Sequence, residues 1–80
     1  MKASMLTSSQ KFWLYTLNGD HKRGSWMHTL QRNGTFNPEL RYQRTFDALE
    51  RKGLAEWHNG ADTGDYNGYR ITDAGKAALC

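Results

Sequence analysis

The chain has a single cysteine, Cys80, and it is the last residue, so no internal disulfide can brace the fold. Its three histidines, His21, His28 and His58, stand at no metal-ligand spacing from Cys80 or from one another. No apolar run approaches the length of a membrane span, and "MKASMLTSSQ" has a lysine without the apolar stretch of a signal peptide. These absences read as a soluble, cytoplasmic, metal-free protein with no membrane partner. Catalytic signatures are scarce as well. No Cys and His come with a third orienting group, and no glycine loop cradles phosphate ahead of a helix. The acidic turn "GADTGDYNG" has part of a calcium loop's spacing but lacks the closing bidentate glutamate. The expectation is no enzyme, no cofactor and no small-molecule substrate.

What is present is 80 residues, enough for one domain with a thin core, carrying a net charge of +3. That charge is unevenly spread. Residues 1–37 hold five cations against Asp20 alone, residues 38–53 hold four against three carboxylates, and residues 54–80 hold two against four. The front half is basic and the tail is acidic.

Hydrophobic periodicity supplies the elements. A first helix starts at Thr7 to Ser9 and ends at Asn18 and Gly19, with Leu6, Gln10, Trp13, Leu14 and Leu17 on one face. Ser25 is placed to cap a short second helix, "WMHTLQR", with Trp26, Met27 and Leu30 inward. Asn37 and Pro38 open the longest helix, residues 38–53, in which Tyr42, Phe46, Leu49 and Gly53 form one stripe. Two short strands, "LAEWH" and "YRI", flank a glycine-rich loop expected to be flexible, and Thr72 caps a final short helix. Residues 1–6 are expected to be flexible, and the whole chain, 1–80, to be one domain.

The stretch "FDALERKGL", Phe46 to Leu54, followed by "YRITDAGKAAL", Tyr69 to Leu79, resembles the recognition-helix end and post-wing segment of MarR-like and PadR-like bacterial transcriptional regulators. The resemblance spans roughly residues 7–79 and implies an α+β fold: a single winged helix-turn-helix domain of three helices, a two-stranded wing and a short C-terminal helix. It implies a small DNA-binding protein, acting in transcription regulation or as a phage or mobile-element DNA-binding factor, with double-stranded DNA as partner. MarR-like proteins dimerise through extra terminal helices not seen here, so a homodimer is expected to use the termini or the first helix. No room is left for a ligand-sensing domain.

In such a fold the second of the paired helices enters the major groove. With Tyr42, Phe46 and Leu49 inward, Arg41, Gln43 and Arg44 become the base-reading candidates, since arginine matches guanine's acceptors and glutamine matches adenine. Phosphate contacts are assigned to Lys22, Arg23 and Ser25 in the "HKRG" loop and helix start, and to Arg32, Arg51 and Arg70. The loop between the strands breaks the pattern. It carries Asp62 and Asp65 and no cation, and carboxylates repel phosphates. That mismatch motivates a rival reading: a protein-binding winged helix, such as a small phage or mobile-element inhibitor docking onto a host nucleic-acid-guided defence complex of CRISPR type. Its interface would use Phe12, Tyr15, Trp57, Asp62 and Asp65. Trp57 and Tyr69 are also expected to be cross-strand neighbours, and Phe12 and Tyr15 to be covered by the final helix.

Overall fold

A computed structural model describes residues 6–79. Cys80 and most of the N-terminal segment expected to be flexible therefore lie outside the described residues.

Helix α1 (Ser8–Leu17) begins with a capping box. Thr7 Oγ1 accepts the Gln10 amide at 3.1 Å, and the Thr7 amide donates to Gln10 Oε1 at 3.2 Å. The helix stops where Gly19 turns left-handed, with the Asp20 amide on the Tyr15 carbonyl and the Gly19 amide on the Thr16 carbonyl, both at 3.0 Å. This is a Schellman closure.

The expected second helix is not there. Residues 18–35 form loop and turns, and Trp26 and Met27, assigned to the core, are 75% and 72% exposed. Ser25 explains the difference. Instead of capping a helix it is buried, with its amide on Thr16 Oγ1 at 2.7 Å and its hydroxyl on His28 Nδ1 at 2.6 Å. A two-turn helix is a costly nucleus with little propagation to offset it, and tertiary partners take its polar groups instead. No helix therefore precedes the long one in the place that a helix-turn-helix requires.

The long helix also starts later than its sequence suggests. Pro38 is buried and residues 37–39 are non-helical; a 3-10 turn over Leu40–Tyr42 then leads into α2 (Gln43–Arg51). Its end matches expectation. Gly53 is left-handed at φ 76°, the Leu54 amide reaches the Leu49 carbonyl, and the Gly53 amide reaches that of Glu50, both at 2.9 Å. Leu49 and Leu54 are both buried beside this second Schellman closure.

Strands β1 (Ala55–His58) and β2 (Gly68–Ile71) pair antiparallel, setting Trp57 opposite Tyr69 and Glu56 opposite Arg70. On its other side Tyr69 exchanges both backbone hydrogen bonds with Phe36, each at 2.8 Å. Tyr69 then has no backbone group left for Trp57, and such pairs bring side chains closest. The two rings meet edge-on, 5.0 Å apart, as cross-strand neighbours.

The connection between the strands, expected to be flexible, is a bonded structure. It holds a 3-10 turn at Ala61–Thr63, and Asn67 Oδ1 accepts the Gly60 amide at 2.7 Å. Side-chain amides of Gln31 and Asn33 donate to the carbonyls of Asn67 and Tyr66, each at 2.9 Å, tying it to the 18–35 loop.

Helix α3 (Asp73–Ala78) is capped by Thr72 as expected, with Oγ1 accepting the Gly75 amide at 3.0 Å. One hydrophobic cluster joins these elements. At its centre the Trp13 ring lies 5.8 Å from Phe36, 4.6 Å from Tyr42 and 5.7 Å from Phe46. Leu14, Phe46 and Leu49 have no exposed surface, and each such side chain contributes about 2 kcal/mol. Phe12 remains 39% exposed, so the final helix does not bury it. The observed class is a small α+β domain of three α-helices and a two-stranded antiparallel sheet among the described residues.

Candidate nucleic-acid interface

Because Phe46 and Leu49 face the core, α2 presents Arg44, Ala48 and Arg51 along its outer side. Arg44 and Arg51 are exposed, and neither has an ion-pair or hydrogen-bond partner among the described residues. They lie about 10 Å apart along the helix axis. Two guanidiniums held on a rigid element without a neutralising carboxylate are available to an anionic partner.

The other two base-reading candidates are committed within the chain. Arg41, on the 3-10 turn, is held by Glu39 at 3.0 Å and lies over the Tyr42 ring, 4.8 Å from its centroid. Gln43 donates from Nε2 to Asp47 Oδ1 at 2.9 Å and to the Tyr69 hydroxyl at 2.7 Å. The Tyr69 hydroxyl in turn donates to Asp47 Oδ1 at 3.2 Å. Burial raises the Tyr69 phenol above its ordinary value of 10.0, and the Asp47 and Glu50 charges push it the same way. Gln43 is thus part of a half-buried lock between α2 and β2 and presents no free donor pair for adenine.

The phosphate set is similarly divided. In the "HKRG" loop assigned to phosphate, Asp20 Oδ1 accepts the amides of Lys22 and Arg23 at 3.1 and 3.3 Å. A carboxylate already sits where a phosphate oxygen would, and an aspartate opening a turn is the sequence signal for this arrangement. Ser25 is only 7% exposed and starts no helix, so its assignment to phosphate binding is withdrawn. Arg23 leans on Tyr15, 5.5 Å from its centroid, and on Asp20 at 3.8 Å. Lys22 and Arg32 are exposed and without ion pairs among the described residues. Arg70 is tied to Glu56 across the hairpin at 2.6 Å.

The residues of the rival interface fall on different elements. Trp57 is 42% exposed at the sheet, and Asp62 is exposed on the 3-10 turn of the connection. Asp65 holds His58 Nε2 at 3.1 Å. Asn33 first, then the Tyr66 amide and His58, keep the Asp65 carboxyl below its ordinary 3.8 despite partial desolvation. Trp26 and Met27, inward by helical period, are exposed instead, the largest departure from the expected core.

Among the described residues no three metal-ligating side chains converge, and no helix is long and apolar enough to cross a membrane. No protein-family model, curated protein or solved structure matches the chain.

Proposed function

We propose that the chain binds double-stranded nucleic acid through the outer side of α2, as a winged-helix module in which an ordered loop replaces the first helix of the pair. The observation that carries this reading is the exposed pair Arg44 and Arg51 on one helix face, unpartnered among the described residues. The MarR-like and PadR-like resemblance supports it through the chain order, in which α1, the Phe36 bridge, α2 and the hairpin follow one another. With Gln43 locked and Arg41 paired, Arg44 is the one base reader left free. Binding is then dominated by phosphate contacts from Arg44, Arg51, Arg32 and Lys22, with modest sequence discrimination. A role in transcription regulation or in a phage or mobile element fits such a module.

The test is fluorescence anisotropy of a labelled duplex at several salt concentrations. Wild type should bind more weakly as salt rises, and the Arg44→Ala/Arg51→Ala protein should lose affinity and about two units of the salt slope. Arg70→Ala, which removes a cation already paired with Glu56, should leave the slope unchanged. A duplex ignored even at low salt would remove this reading.

A second reading has its own observation. Trp26 and Met27 together form an exposed apolar pair on the 18–35 loop, and exposed aromatics are common anchors of protein interfaces. The protein-docking alternative, including an inhibitor of a host defence complex, would then use Trp26 and Met27 in place of the Phe12, Tyr15, Trp57, Asp62 and Asp65 first assigned to it. Trp26→Ala/Met27→Ala would abolish capture of such a partner while sparing duplex binding.

A further inference from the structure

Among the described residues the small sheet leaves the edge of β1 open. β2 lies between β1 and Phe36, so β1 is an outer strand. Just past the paired residues, the Thr72 amide donates to the Leu54 carbonyl at 3.1 Å. By the antiparallel alternation, Leu54, Glu56 and His58 direct their backbone groups into the hairpin, while Ala55 and Trp57 direct theirs outward. No group beyond the hairpin meets the backbone of Trp57 among the described residues. Ala55 is 2% exposed and Trp57 42%, so the accessible part of the edge is centred on Trp57.

We propose that this edge pairs antiparallel with the same edge of a second copy of the chain, centred on Trp57, giving a two-fold symmetric dimer with a continuous sheet. The sequence of β1, Ala-Glu-Trp-His, is self-complementary about that centre. Trp57 faces Trp57 of the second copy and exchanges N–H and C=O with it. Glu56 then faces His58 of the second copy, twice by symmetry. Centring the pair on Glu56 sets carboxylate against carboxylate, and centring it on His58 sets imidazole against imidazole. The charge pattern therefore selects one register.

The side chains have atoms to spare for this contact. Glu56 accepts from Arg70 Nε through Oε1, leaving Oε2, and His58 donates to Asp65 through Nε2, leaving Nδ1, which in the imidazolium carries the N–H that donates to Glu56 Oε2 of the second copy. On the opposite face the two Trp57 indoles come together and cover surface that the isolated hairpin leaves open. With strands of four residues the contact is small, so association is reversible and concentration-dependent. It does not depend on what α2 binds.

Sedimentation velocity of the full chain without nucleic acid, from micromolar to millimolar concentration, tests the proposal. Wild type should shift reversibly from monomer to dimer. Glu56→Lys and His58→Glu should each weaken the dimer about tenfold, because each disrupted contact occurs twice. The double variant Glu56→Lys/His58→Glu recreates opposite charges in the same register and should restore association, with circular dichroism showing each variant folded. A mixture of differently isotope-labelled wild-type chains should also show intermolecular contacts between Trp57 rings, which requires no substitution. A monomer at every concentration, or a double variant no tighter than the single ones, overturns the proposal and leaves the edge to an unrelated partner.

Discussion

Gly75, at the start of α3, lies directly against the carbonyl oxygen of Leu54, where the chain enters β1. A methyl group there would overlap that oxygen and come within 2.7 Å of Ile71 Cγ1. The same corner is fastened by Thr72, whose hydroxyl donates to the Gly53 carbonyl at 2.7 Å. The two sequence stretches that carry the family resemblance therefore touch, and the last helix locks the exit from α2. Gly75→Ala should cost about 1 to 3 kcal/mol by overpacking, read as a lowered denaturation midpoint.

Gly53 presents the opposite case. Nothing would meet a Cβ at this position, but its φ of 76° is unfavourable for any residue with a side chain. Gly53→Ala should cost about 1 to 2 kcal/mol through backbone strain alone. Gly53→Asn should recover part of the loss, since asparagine tolerates the left-handed region, whereas Gly75→Asn should be worse than alanine. Urea midpoints of the four variants separate strain from collision.

The lock between α2 and β2 predicts an alkaline effect. The Tyr69 phenol is raised above 10.0, first by burial. A raised folded value means that its stabilisation is fully present below the ordinary value and is lost as pH rises through the raised one. Tyrosinate absorbance should show a phenol titrating above 10.0 that is absent in Tyr69→Phe. That variant should lose about 1 kcal/mol at neutral pH, because Gln43 and Asp47 each lose a partner.

The features legible in sequence were those decided by near neighbours. A hydroxyl cap in the Thr7 to Ser9 stretch, Gly53 after the stripe of Tyr42, Phe46 and Leu49, and Thr72 before a small-residue helix each depend on a few near neighbours, and each formed as expected. Ser25 shows why the second helix was not legible. Its amide goes to Thr16, nine residues away, and no local pattern weighs that capture against a helix cap. Gln43 is a similar case, claimed by Tyr69 across 26 positions. Helical period was enough to place Arg44 and Arg51 on an outer face, but not to say which cations the fold would neutralise.

Asp65 should make the strand connection sensitive to acid. Asn33, the Tyr66 amide and His58 favour its carboxylate and hold it below 3.8. For a depressed folded value, the stabilisation is complete above the ordinary value and disappears as pH falls through the lowered one. Asp65→Asn carries no titrating group there. The melting temperature of wild type should fall more steeply than that of Asp65→Asn as pH drops below about 4.

Thr16 decides whether the 18–35 loop is held in place or simply has no helix to form. Its hydroxyl donates to the Phe12 carbonyl at 3.1 Å and accepts the Ser25 amide, inside a buried corner where a Cβ on Gly24 would come within 2.5 Å of the same oxygen. Thr16→Val keeps the volume and removes the acceptor, leaving the Ser25 amide without its partner at a cost of about 1 to 3 kcal/mol. Thr16→Ser keeps the oxygen and should cost much less. Amide exchange at Ser25 should accelerate in the valine variant while the α2 amides keep their protection. If "WMHTLQR" is a helix suppressed by this capture, the same variant will gain helical circular dichroism and draw Trp26 inward, shifting its fluorescence to the blue. If the loop only loosens, Trp26 stays solvated. Residues 18–35 then belong with the loops.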